Sequence, residues 1–428
     1  MTEIHESAAE TVRDPYVITR KLYKWEAMFE TLCTQLATGG FLAKVSITLG
    51  VRDSITALIG TLASLACVLS LVSGYLQQHT PIKRWLLPMA EIARPCMIVM
   101  YLLPFFRIKN GIDIILLVLV FVAQAAAAMV TPAKQNMFMA TVSTEQRTSY
   151  LAVVNMVSRL FAIPLLLFGG TFLDYMEEGG RLKEAFLIIA VAIFAFGICH
   201  MLTLIFSKEP PMRQQVHKNV FNGLGSLFHN KKFRFFMITS LVNSIAQGVL
   251  APYLVTYVQK DFGFSMFTYN MFNAIQMLLC LLGFLLVTKL GKRVKATTLR
   301  TVFFVAYICY DFLWLMMSKE TAFAWHFPVE IACAVLNVAS ISSTVCLFWI
   351  VEEKDRVSAI AFSGALTGVC TFVTNLAITL LFDLMQDRGV SLFGAPAYPQ
   401  QILGIFSVGL RMLALCLWLF EKKNYKEM

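Results

Sequence analysis

Twelve stretches of roughly 20 or more mostly apolar residues, from Trp25–Leu49 at one end to Gln401–Phe420 at the other, fill most of this 428-residue sequence. Runs of that length match the ~20 residues a helix needs to cross a hydrocarbon core of ~30 Å. In lipid every backbone N–H and C=O must be satisfied inside the protein, which leaves helix bundles and closed barrels. Barrel strands alternate in polarity over about ten positions, whereas these runs are about twice as long and continuously apolar. Composition agrees: 58% of residues are hydrophobic and 14% charged, against roughly 45–50% and 25% in soluble domains. The expected fold class is therefore an all-α integral membrane protein with twelve transmembrane helices.

The charges assign a topology. With the N-terminus placed in the cytoplasm, the connecting segments on that side carry about 23 Lys and Arg and those on the other side about 8. Positive charge is retained on the cytoplasmic side, so both termini are expected there, in a plasma or bacterial inner membrane. The net charge of +10 is spread in short clusters between apolar runs, a topological pattern that excludes a nucleic-acid partner. The ten cysteines sit singly in apolar stretches with no C-x-x-C pair, so they are expected to be packing residues, with no metal site. The polar segment 1–24 lacks the apolar core and cleavage site of a signal peptide, so the first span is expected to serve as its own insertion signal.

The longest polar interruption, 207–232, divides the spans into a bundle at 25–206 and a bundle at 233–420, followed by a tail at 421–428. Shifting the sequence by 209 positions lays the second bundle on the first. "GYLQQHTPIKR" at Gly74–Arg84 meets "GFLLVTKLGKR" at Gly283–Arg293, Arg147 meets Arg356, and Asp174 meets Asp383. Six spans per half make the copies parallel repeats related by an axis along the membrane normal.

Two parallel six-helix halves, a basic central loop and a Gly-x-x-x-(Asp)-x-x-(Gly)-x-(Lys/Arg)-(Lys/Arg) pattern after the second span of each half resemble the major facilitator superfamily. The resemblance covers about Trp25 to Phe420. The first copy has Gln78 and Pro81 where the family pattern has Asp and Gly, and the second has Val287 and Leu290. The resemblance implies a cytoplasmic gate at Gly74, Lys83, Arg84, Arg147, Gly283, Lys292, Arg293 and Arg356, and the missing Asp leaves open whether that gate uses the family's charge relay. It also implies a central cavity lined by the first, fourth, seventh and tenth spans, flanked by the second, fifth, eighth and eleventh. On those spans the sequence places Gln35, Thr38, Gln124, Asn155, Arg159, Asn243, Gln247, Asn273, Gln276, Asn337, Thr371 and Asn375. Amides both donate and accept, which suits a hydroxylated or amide-bearing solute.

Charged residues deep in a bilayer are costly unless they face the bundle interior and find a partner. Arg159 lies about ten residues into the fifth span, near the bilayer midplane, and has two readings: an interhelical salt bridge or a site for a substrate anion. Glu30, one helical turn after Glu26, is the candidate proton-coupling carboxylate. Glu91 and Arg94 are three apart on the third span, the spacing of a local pair. Arg411 falls on a peripheral span and reads as structural.

There is no G-x-x-x-x-G-K-[ST] phosphate loop, so ATP coupling within this chain is not expected, and neither is a cofactor. The expected function is secondary transport of a small organic solute by alternating access, coupled to protons or another ion, in a monomer surrounded by lipid. Export of amphipathic compounds is one version. The alternatives are an uptake carrier for a sugar-like polar solute and a polytopic lipid-modifying membrane enzyme; no paired carboxylates or histidines at one membrane surface support the latter, so the chain is not expected to be an enzyme.

Overall fold

The computed structural model describes residues 14–72, 76, 80–106, 111–142, 147–210, 229–290, 295–351, 356–392 and 395–422. Gly74, Lys292 and Arg293 lie outside the described residues, as do the side chains of Arg147 and Arg356. Among the described residues, 11 helices are long and apolar enough to cross a membrane. They are the second to twelfth spans: Asp53–Val72, Ile82–Phe105, Ile112–Met139, Val153–Glu178, Leu182–Phe206, Lys231–Asp261, Met266–Leu286, Ala296–Leu315, Ala322–Leu347, Phe362–Arg388 and Pro399–Lys422. The protein is an all-α membrane protein, its only described strands being the short antiparallel pair Val390–Leu392 and Ala395–Ala397.

The first passage departs from the single helix expected over Trp25–Leu49. It consists of two helices, Val17–Ala37 and Gly39–Thr48, broken at Thr38, whose backbone is extended. The cause is local and tertiary together. Gly39 takes a φ of 57°, a left-handed conformation that costs other residues about 1–2 kcal/mol. Gly40 lies so close to the Tyr269 ring that a Cβ there would fall 2.5 Å from it.

Helix contacts within the chain are of two kinds. The first span packs on the fifth and sixth, and the third on the fourth and sixth; correspondingly, the seventh packs on the eleventh and twelfth, and the ninth on the tenth and twelfth. Across the two sets, the second span packs on the eleventh and the fifth on the eighth. The helices that carry the fifth and eleventh spans begin at Arg147 and Arg356, 209 positions apart. Large apolar side chains such as Phe168, Leu380 and Phe420 are left exposed on the outside of the bundle, as a surface bathed in acyl chains requires.

At the end of the bundle opposite the chain termini, the cross-set contacts repeat with the same two-fold relation. Asn270 donates to the Leu166 carbonyl (2.9 Å), and their counterparts 209 positions away, Asn375 and Thr61, are bonded at 3.0 Å. Asp174 accepts from the Met266 and Phe267 backbone N–H groups at 2.8 and 2.7 Å, holding the start of the eighth span. Its counterpart Asp383 lies 3.6 Å from Arg52, just before the second span. Asp53, buried, accepts from Lys260 (3.0 Å) and Gln386 (2.8 Å).

Backbones touch below this layer. A Cβ on Gly368 of the eleventh span would lie 2.2 Å from the Ser64 carbonyl oxygen of the second. Gly368→Val is therefore expected to force these helices apart and cost about 1–3 kcal/mol, the usual range for overpacking. A lowered midpoint of thermal unfolding in detergent checks this, and an unchanged midpoint would mean the two helices do not meet here.

Candidate functional site

The deepest polar cluster of the first half is built on one turn of the first span. Glu26 and Glu30 are one turn apart and face the same way, towards the fourth and sixth spans. Lys134, 108 residues from Glu26 in sequence, donates to Glu26 Oε1 at 2.8 Å and also bonds Glu30 Oε2. His200 on the sixth span places Nε2 2.8 Å from the same Glu26 oxygen, and Nδ1 3.4 Å from Glu91 Oε1 on the third. Glu26 is 0% exposed, and Lys134 and His200 are buried as well. Isolated, any of these charges would carry a large desolvation cost, and mutual pairing is what permits them there.

The cluster has a proton inventory that does not close with ordinary protonation states. Ionised carboxylates only accept hydrogen bonds, and a neutral imidazole has one donor. His200 faces a carboxylate with each nitrogen, so one further proton is needed, either on the imidazole or on Glu26 or Glu91. Charge balance gives the same answer: three carboxylates, Glu26, Glu30 and Glu91, stand against two fixed cations, Lys134 and Arg94. The second Glu26 oxygen is buried without a hydrogen-bond partner among the described residues.

Glu30, Thr34, Arg94, Met97 and His200 line a small cavity beside the cluster, with room for about one water molecule. Arg94 does not pair with Glu91 as the spacing suggested. Its guanidinium contacts Met97 Sδ at 3.8 Å, with its stem against Gly197, while Glu91 reaches across to His200. Glu26, Glu30 and His200 present ligand atoms within 4.8 Å of one another. The ammonium of Lys134, bonded to both carboxylates, already supplies the positive charge that a metal ion would bring.

The second half answers this cluster with a different chemistry. Shifted by 209, Glu30, Glu91 and Lys134 fall on Thr239, Arg300 and Ser343. Those three also meet, with Arg300 donating to Ser343 Oγ at 3.1 Å and Thr239 Oγ1 at 3.4 Å, under the rings of Phe236 and Trp418. Elsewhere in this half Arg411 bonds Asp311 at 3.1 Å and the Asn243 carbonyl at 2.8 Å. It lies over the Tyr307 ring at 3.6 Å, and Ser407 donates to Asp311 at 2.6 Å.

The other residues singled out from sequence fall into three groups. Asn243, Thr371 and Asn375 are buried and bonded to Arg411, the Ser244 carbonyl and Thr61 respectively. Gln35, Thr38, Gln124, Arg159, Asn273, Gln276 and Asn337 are half-buried, and Asn155 and Gln247 are exposed. Of these, Thr38 and Asn337 bond carbonyls of their own helices, Gln276 approaches Cys333 Sγ at 3.5 Å, and Gln124 lines a small cavity with Met97 and Met100. Arg159 makes no ion pair among the described residues. Its guanidinium lies 5.8 Å from the centre of the Phe284 ring on the eighth span.

At the terminal end of the bundle, Lys83 donates to the Ile205 and Ser207 carbonyls at 2.5 and 2.8 Å, at the end of the sixth span. Glu209 accepts from the Ile82 and Lys83 N–H groups at the start of the third. Arg84 is exposed, and Gly283 packs against Val338 of the tenth span. Glu26, Lys134, His200 and Glu209 were not among the candidates drawn from sequence. For Lys134 the available signal was a lone lysine inside the apolar fourth span.

Comparison with solved structures finds the same fold at low identity. The nucleoside transporter NupG superimposes with a TM-score of 0.67 at 14% identity, covering 95% of this chain and 99% of its own. A bacterial homolog of the human lysosomal transporter Spinster, inward-facing and unoccupied, gives 0.64 at 12% identity over 96% and 97%. The E. coli fucose:proton symporter FucP gives 0.58 at 13% over 94% and 98%. No curated protein matches the sequence. The family model for the Major Facilitator Superfamily matches residues 27–381. By that match over most of its length, and by a fold shared with transporters of this kind, the chain belongs to the major facilitator superfamily and is a transporter rather than an enzyme.

Proposed function

We propose that this transporter moves a small polar organic solute by alternating access of its two halves, coupled to protons through the Glu26–Lys134–Glu30–His200 cluster. The observation that carries the coupling is the proton inventory of that cluster, where an imidazole meets a carboxylate at each nitrogen. Glu30 and His200 both line the cavity, and of the two Glu30 is the part-exposed one; Glu26 behind it is fully buried. Protonating Glu30 neutralises it and releases its bond to Lys134, which stays on Glu26. A proton can therefore enter or leave at Glu30 while the buried pair keeps the helices in place. The charge asymmetry of the loops supports a cell-membrane location with both termini in the cytoplasm; a gate at that end would include Lys83, which ties the third span to the end of the sixth within the first half. The half-buried amides Gln35, Asn273 and Gln276 favour a polar solute over an amphipathic one. FucP, of similar fold, is a fucose:proton symporter.

The test is reconstitution with a panel of sugars, nucleosides and organic acids. Glu30→Gln is expected to abolish accumulation driven by a pH gradient while leaving counterflow exchange within about twofold of the original. Driven accumulation that survives the substitution removes Glu30 from the coupling step. A chain that responds to no pH gradient before substitution removes proton coupling altogether.

A further inference from the structure

The two-fold relation between the halves is broken at Arg159, and that break points to a ligand site. The fifth span meets the eighth along Asp174, Gly170 and Leu166, one face of the helix at spacings of four. The eleventh span meets the second along the corresponding face, through Asp383 and Asn375. Two turns nearer the termini, the eleventh span has Gly368, seated on the Ser64 carbonyl. The residues 209 positions before Gly368 and after Ser64 are Arg159 and Asn273.

Where one interface closes on a glycine, the other has a guanidinium, and the helices cannot meet there in the same way. Asn155, one turn further along the same face, is exposed, and its counterpart Gly364 has open space around it. The fifth and eighth spans are in contact at the far end, and nearer the termini it is the Arg159 side chain that reaches the eighth span, at Cys280 and Phe284. There Arg159 has the Phe284 ring and a hydrogen bond with Cys280, and no carboxylate pairs with it among the described residues. A cation–π contact offsets about 0.5–2 kcal/mol, well below what burying a guanidinium costs. Ionic partners are provided for Lys134 and Arg411, whose contacts lie inside one half; Arg159 faces the other half.

We propose that Arg159 binds the anionic group of the transported solute, and that this group is a single carboxylate. A planar guanidinium fits a carboxylate with two parallel hydrogen bonds. One fixed cation balances a monoanion, whereas a phosphate dianion would call for more. Phe284 supplies an apolar flank for the carbon skeleton. Solute arriving at Arg159 supplies the missing counter-ion between the fifth and eighth spans, the contact that must rearrange when the halves rock. This inference names the substrate class and rests on the transport reading, without depending on proton coupling.

The experiment uses the full chain in detergent, carrying Asn155→Cys, and follows modification of the introduced thiol by mass spectrometry. Sulfonatoethyl methanethiosulfonate is expected to react faster than its trimethylammonium analogue. Arg159→Gln should reduce the anion-to-cation rate ratio by roughly fivefold, the size expected of one nearby charge in a partly wet site, while Arg159→Lys should keep it. A panel of monocarboxylates from acetate and lactate to benzoate and gluconate is then added as protectant. Protection by one or more carboxylates, absent with the matching amides and lost in Arg159→Gln, supports the assignment. No reaction at the introduced thiol, a ratio indifferent to Arg159→Gln, protection by inorganic phosphate alone, or no protection by any carboxylate overturns it. The labelling needs no pH gradient, so its failure is distinguishable from failure of the Glu30 test.

Discussion

Lys134→Met is expected to be among the most damaging single substitutions in the first half, costing on the order of 3–5 kcal/mol of stability. Lys134 bonds two carboxylates, and one of them, Glu26, is fully buried. Removing the ammonium leaves Glu26 with His200 as its only described partner and leaves Glu30 without one. The measurement is thermal unfolding in detergent. The control that makes the result specific is Glu26→Gln combined with Lys134→Met, which removes the buried charge together with its partner. The double variant should unfold at a higher temperature than Lys134→Met alone. If the two unfold together, the damage comes from lost packing of the lysine stem, and the ionic argument fails. The same double variant should also lose pH-gradient-driven transport, because the remaining Glu30 has no partner to exchange with its proton.

The second large effect is expected at Asp311. This carboxylate is buried and bonded by Arg411 and Ser407, while Arg411 is itself buried. Asp311→Leu leaves a guanidinium held by the Asn243 oxygens and the Tyr307 ring, with its charge uncompensated. A cost of about 3–5 kcal/mol follows from breaking one side of a buried pair. Asp311→Leu combined with Arg411→Leu should recover most of that loss, since replacing both charges by apolar groups is often neutral or better. Counterflow exchange should return with stability in the double variant, because this pair ties the seventh, ninth and twelfth spans and faces no cleft. Recovery of folding without exchange would place the pair in the transport cycle.

Much of the architecture was legible before any coordinates, because span length and apolar continuity are local properties. Each run of ~20 apolar residues must be helical in lipid whatever its neighbours are. The break at Thr38 was not legible as a break, since a Gly-Gly pair is compatible with a continuous helix until Tyr269 comes to lie against it. The 209-residue repeat was visible at Arg147 and Arg356 and again at Asp174 and Asp383. What it meant physically was not: the two Asp residues hold the starts of spans in the opposite half.

The site was legible only in part. Glu30 stood out as a carboxylate inside an apolar run, and Arg159 as a cation at mid-span. Glu91 and Arg94 were misjudged as a local pair because helical spacing says which residues share a face, whereas the direction of each side chain depends on what the neighbouring helices offer. His200 offered Glu91 a nitrogen, and Gly197 offered Arg94 room.

By itself, then, the sequence determined that this chain crosses a membrane in twelve passages built as a repeat, because backbone solvation in lipid depends on composition along a single segment. The tertiary structure alone decided which charges are matched. Lys134 finds Glu26 across 108 residues and Arg159 finds no carboxylate among the described residues, and those outcomes depend on how each helix is rotated and which helix lies beside it, quantities that no local stretch of sequence contains.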